Sequence, residues 1–160
     1  MIQRIQTVYL LLVAFIGGLL YVYPLVSLVP ANANAEPVIY HVSALKVEML
    51  TNGTSDLMMR FWPVVVLNAL VIAFALLIVF QYRNRRRQMN YTQLLLLLNL
   101  AQIVLLVVDV DRLLSITGTN HQVSYSVFAV LPVIQLVLTR LATAAIRKDD
   151  ELVRSADRLR

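Results

Sequence analysis

The chain has no cysteine in its 160 residues. That absence excludes disulfides, thiol nucleophiles and thiolate metal sites. Charge is scarce as well: Asp, Glu, Lys and Arg make up 14% of the sequence, and 59% is hydrophobic. Soluble domains sit nearer a quarter charged, so the shortage places the chain among membrane proteins. Histidine occurs twice, at His41 and His121, with no spacing that would make a metal site. No Ser/His/Asp set, paired-carboxylate site or metal motif is recognisable. The expectation is a protein that is not an enzyme and carries no cofactor.

What is present is apolar length. Four runs reach the roughly 20 residues needed to cross about 30 Å of hydrocarbon. The spans are expected at about residues 6–29, 62–82, 91–111 and 124–146. The first ends in sites resembling signal-peptidase cleavage, but its apolar region exceeds the usual 7–15 residues, so it reads as a retained helix. Ala14 and Gly18, with Gly17 alongside, suit close helix approach or simple tolerance of glycine. Pro132 falls inside the fourth run and should kink it.

Between the spans lie an outer loop at 30–61 and a loop at 83–90, and a polar tail follows at 147–160. Val38, Tyr40 and Val42 alternate with more polar residues, and Asn52-Gly53 supplies turn chemistry. This predicts two short strands or a loose hairpin over the bundle mouth. In the tail, Leu152, Val153, Ala156 and Leu159 share one face of a short amphipathic helix. That face has two readings, docking on the chain's own helix ends or on a protein partner. The fold class expected is therefore an all-α membrane protein. It is a single domain over residues 1–160, a four-helix transmembrane bundle with a small extracytoplasmic hairpin-like loop and a short cytoplasmic helix.

The net charge of +5 does not point to nucleic acid, because the basic residues flank apolar runs. Arg4, Arg83, Arg85, Arg86, Arg87, Arg140, Arg147, Lys148, Arg154, Arg158 and Arg160 fall on one side of a four-span chain. Lys46, Arg60 and Arg112 fall on the other. Basic residues concentrate in the cytoplasm, so both termini are expected there. Arg83, Arg85, Arg86, Arg87, Arg140, Arg147 and Lys148 would form a basic face that attracts anionic lipid headgroups at about 1 kcal/mol per residue.

The opening Met1-Ile2-Gln3-Arg4-Ile5-Gln6-Thr7-Val8-Tyr9, the run Tyr82-Arg83-Asn84-Arg85-Arg86-Arg87-Gln88 and the tail Glu151-Leu152-Val153-Arg154-Ser155-Ala156-Asp157-Arg158-Leu159-Arg160 resemble a bacterial family of small four-span integral membrane proteins of unknown function. The resemblance implies a four-helix protein of the inner membrane. It brings no activity or catalytic residue.

Polar groups inside the spans are the remaining candidates. Asn99 and Gln102 share a face of the third helix, and Gln135 lies at similar depth on the fourth. These amides are expected to meet inside the bundle. As glue they would contribute about 0.6–2 kcal/mol each; the competing reading is a polar path for a solute. Glue is favoured because no ionisable group lies at that depth. Asn68 reads similarly. Asp109, Asp111 and Arg112 read as a solvated, locally paired helix end. A scaffold or accessory subunit of a larger membrane assembly is the leading function, with transport of a small solute or lipid between helices three and four as the alternative.

Overall fold

The computed structural model describes residues 3–30, 39–42, 47–51, 54–59, 62–81, 85–117 and 121–158. Four long helices dominate: α1 (Gln3–Val22), α2 (Trp62–Phe80), α3 (Arg85–Thr117) and α4 (Leu131–Arg158). All four are long and apolar enough to cross a membrane. They pack as a ring in which α1 touches α2 and α4, and α3 touches α2 and α4.

The helices begin and end where local chemistry requires. α1 stops at Val22 because Pro24 lacks an N–H and crowds the preceding turn. Its last bond runs from the Tyr23 N–H to the Leu19 carbonyl (3.0 Å). The expected first span ran on to residue 29, but Val26–Pro30 is a strand, β1. Val26 and Val29 are β-branched, which favours the pleated chain.

Pro132 does not kink a helix. It is the second residue of α4, where its missing N–H costs nothing. A short 3-10 turn at Val127–Val130 leads in, capped by the Ser126 hydroxyl, which accepts from the Phe128 N–H. The tail is not a separate helix either. α4 continues without a break from the fourth span to Arg158.

The hairpin over the bundle mouth is present and larger than expected. β1, β2 (Ile39–Val42), β3 (Val47–Thr51), β4 (Thr54–Met59) and β5 (His121–Tyr125) form one antiparallel sheet in the order β4-β3-β2-β1-β5. The β3–β4 pair closes at Thr51 opposite Thr54; the expected Asn52-Gly53 turn between them lies outside the described residues. β5 adds to β1 with Ser27 opposite Ser124. β1–β4 connect α1 to α2, and β5 connects α3 to α4. One sheet therefore joins both connections at one end of the bundle, leaving the starts of α1 and α3 and the ends of α2 and α4 at the other.

Inward-facing residues recur at alternating steps of four and three. On α1 they are Gln6, Leu10, Val13, Gly17 and Leu20; on α2, Val64, Asn68, Val71, Ala75 and Ile78. On α4 they are Pro132, Gln135, Thr139, Ala142 and Ile146. A period of 3.5 keeps one stripe facing its neighbours and is the repeat of left-handed supercoils. Phe15, Leu77, Leu97 and Val107 lie on the exposed outer surface. Oily residues outside and amides inside make sense where the solvent is hydrocarbon.

Two apolar clusters fill the interior. Near the sheet, Leu20, Leu25, Val26, Leu28, Val64 and Leu113 pack together. Near the opposite end, Leu10, Val13, Val71, Ala75, Ile78, Leu95 and Ala142 do so. Between them lies a polar layer.

Candidate functional site

The polar layer is built from the inner stripes. On α3 that stripe carries Gln88, Thr92, Leu95, Asn99, Gln102, Asp109 and Leu113, all buried. Five of these seven are polar, although the outer face of the same helix carries Leu94, Leu97, Leu100 and Val104. The amides sit inside because in the bilayer an interior partner is the only alternative to an unsatisfied polar group.

The expected amides Asn99, Gln102 and Gln135 lie in the layer, but they do not bond to one another. Each reaches a different helix. Gln102 Nε2 donates to Asn68 Oδ1 (3.1 Å), joining α3 to α2. Asn68 Nδ2 donates to the Gly17 carbonyl (2.9 Å), joining α2 to α1. Gln135 Nε2 donates to the Val13 carbonyl (3.1 Å), joining α4 to α1. Asn99 Nδ2 donates to Thr139 Oγ1 (3.1 Å), joining α3 to α4. Within this layer every pair of neighbouring helices is tied, so the four bonds close a ring around the bundle.

Supporting groups hold this ring. The Thr139 hydroxyl accepts from Asn99 and donates to the Gln135 carbonyl (2.9 Å). Thr143 donates to the Thr139 carbonyl in the same way. Such back-bonding occupies hydroxyls that would otherwise be buried without a partner. Gly17 allows the close approach. A Cβ there would meet Ile72 Cγ1 at 2.6 Å and Gln135 Nε2 at 3.3 Å, whereas at Gly18 it would meet open space. The small-residue signal in α1 was real, but Gly17 rather than Gly18 makes the contact.

Asn68 is the member whose centrality the sequence understated. It is fully buried and takes part in two of the four bonds. Its place in the repeat, four after Val64 and three before Val71, is the signal that finds it. Thr139 and the backbone carbonyls of Val13 and Gly17 carried no signal in composition.

The other candidates are scattered. Asp109 is buried, and its Oδ2 has no hydrogen-bond partner among the described residues. Asp111 and Arg112 are exposed, so a solvated helix end describes them and not Asp109. Tyr21 donates to the Val65 carbonyl (2.6 Å) and ties α1 to α2 again near the sheet. Tyr23 stacks on Phe128 at 4.3 Å between ring centres.

Among the basic residues, Arg87, Arg140, Arg147 and Lys148 are exposed. Arg147 Nε lies 3.9 Å from Glu151 Oε1 on the same helix face, a surface pair of little energetic weight. Arg85 and Arg86 lie in the first turn of α3; their side chains, and Arg83 altogether, lie outside the described residues. Leu152 is exposed on α4, and the side chains of Val153, Ala156 and Leu159 lie outside the description. So do those of His41 and His121. No cluster of metal-ligating side chains occurs among the described residues.

One crevice of about 200 Å³ opens on the flank between α3 and the start of α4. Leu106, Val107, Val110, Ala129 and Val133 are among the residues that line it, as is the exposed Tyr125. No member of the amide ring lines it.

Four apolar helices tied by interior amides and joined at one end by a sheet define a multi-pass membrane protein. The chain belongs to the family described as Domain of unknown function (DUF4293), which it matches over residues 2–159. A comparison with curated proteins gives no match.

Proposed function

We propose that the protein is a non-enzymatic scaffold or accessory subunit of a larger assembly in the bacterial inner membrane, with both termini in the cytoplasm. The observation that carries this reading is the ring of four interhelical bonds. The amide nitrogens that could have lined a path are committed to holding helices together, and a solute moving along the axis would have to break those bonds. The groups left for interaction lie at the two ends. One end carries the sheet. The other carries the start of α3 and the polar extension of α4, with exposed Arg87, Arg147 and Lys148. α3 has 33 residues against 20 for α1, or about 50 Å against about 30 Å at 1.5 Å per residue. Helices that outrun the hydrocarbon suit a protein that presents surfaces on either side of it.

The basic end is read as the cytoplasmic face, where anionic headgroups and a membrane-protein partner would dock. Affinity purification in mild detergent, with the full chain and with residues 147–160 removed, tests the reading. A specific co-purifying protein that is lost with the tail is expected. A chain that runs alone in both forms would contradict it.

A further inference from the structure

The central amides use their two polar atoms unequally. Each side-chain nitrogen of Asn99, Gln102 and Gln135 donates to a protein acceptor. Their oxygens, Asn99 Oδ1, Gln102 Oε1 and Gln135 Oε1, are buried and accept from no donor among the described residues. The three residues are 2%, 1% and 0% exposed. Buried polar atoms nearly always have a partner, and hydrocarbon at this depth supplies none.

Turning the amides over does not solve the problem. A rotated Gln102 would set its oxygen against Asn68 Oδ1, a rotated Gln135 against the Val13 carbonyl, and a rotated Asn99 against the Leu95 carbonyl. Oxygen would then face oxygen, and an NH2 group would be stranded instead. Spare N–H groups remain on these NH2 groups, but none reaches the three oxygens.

We propose that this layer is a binding site for internal water, held by the oxygens of Asn99, Gln102 and Gln135. Water brings two donors in the smallest volume and typically makes about three hydrogen bonds when buried, so it supplies what these oxygens lack. A metal cation also seeks oxygen, but the chemistry here favours water. The acidic group on the inner stripe of α3, Asp109, lies seven residues from Gln102, about 10 Å along the axis. A cation would exchange its hydration for neutral dipoles with no counter-charge in the layer. Leu95, Leu98 and Leu138 on one side, and Leu105 and Leu106 on the other, bound the layer with hydrocarbon and confine the water to it. The ring then works as a hydrated clasp rather than as a dry one.

Water-edited solid-state NMR on the full chain in lipid bilayers, with Asn and Gln labelled in the side-chain amide, tests the site. Magnetisation is expected to pass from water to the NH2 groups of Asn99, Gln102 and Gln135, and not to the Leu95 and Leu138 methyls. Silence at all three amides, while exposed Gln122 reports water, would overturn the proposal. Gln135→Met keeps side-chain length and removes one acceptor, and a loss of transfer at Asn99 or Gln102 is expected in it. Thermal unfolding in sodium, potassium and choline chlorides distinguishes the cation. Equal Tm values are expected, and a Tm raised by sodium or potassium alone would reassign the oxygens to a metal ion and overturn the water site.

Discussion

The bundle interior holds two kinds of layer, and they secure the helices by different physics. The apolar clusters at either end rest on close packing alone, because lipid tails are as apolar as leucine and give no hydrophobic drive between helices. The polar layer between them adds four directional bonds, each naming a particular neighbour. Packing supplies most of the stability. The amides fix which helices meet and at what height, since Gln102 can satisfy Asn68 in only one vertical register. A layer of specific bonds penalises misplaced helices, because an amide without its partner is costly in hydrocarbon.

The largest loss is expected in the apolar layers. Leu95 is fully buried in the cluster away from the sheet. Leu95→Ala should cost about 2–5 kcal/mol, read as a lower midpoint in detergent-induced unfolding. If it cost less than loss of any one amide, packing would not be the main support. Next comes Gly17→Ala. Its Cβ would meet Ile72 Cγ1 at 2.6 Å, and overpacking of that kind costs about 1–3 kcal/mol. Asn68→Ala removes two interhelical bonds at once and should cost about 1–2 kcal/mol, more than Asn99→Ala, which removes one. Smallest is Gly18→Ala, one residue from Gly17 but facing open space. It should shift stability by no more than about 0.5 kcal/mol; a loss matching that of Gly17→Ala would mean the wrong face of α1 has been placed inside.

Much of this architecture was legible from the residues. The four apolar runs mark the helices because length and hydrophobicity are local properties. Asn99, Gln102 and Gln135 stood out because amides are conspicuous among leucines. Of their partners only Asn68 did. Val13 and Gly17 take part through carbonyls, which every residue has, so only the packing of α1 could reveal them. The sequence carries the first span past the end of α1 because Val26-Ser27-Leu28-Val29 is apolar enough to pass for helix. Its strand character comes from pairing with Ile39–Val42 and with His121–Tyr125, partners distant in sequence. Residues 124 and 125 read as span entry for the same reason. Pro132 shows the value of position over identity: inside a helix it would bend it, and at the second residue it begins one.

The ring itself is tested most directly at Asn68 and Gln102, whose side chains are joined across α2 and α3 at 3.1 Å. A double-mutant cycle with Asn68→Ala and Gln102→Ala, measured by unfolding in bicelles, isolates that bond from the packing around it. The expected coupling is favourable and about 0.6–1.7 kcal/mol, the range found for hydrogen bonds between membrane helices. Strict additivity of the two substitutions would contradict a ring of working interhelical bonds.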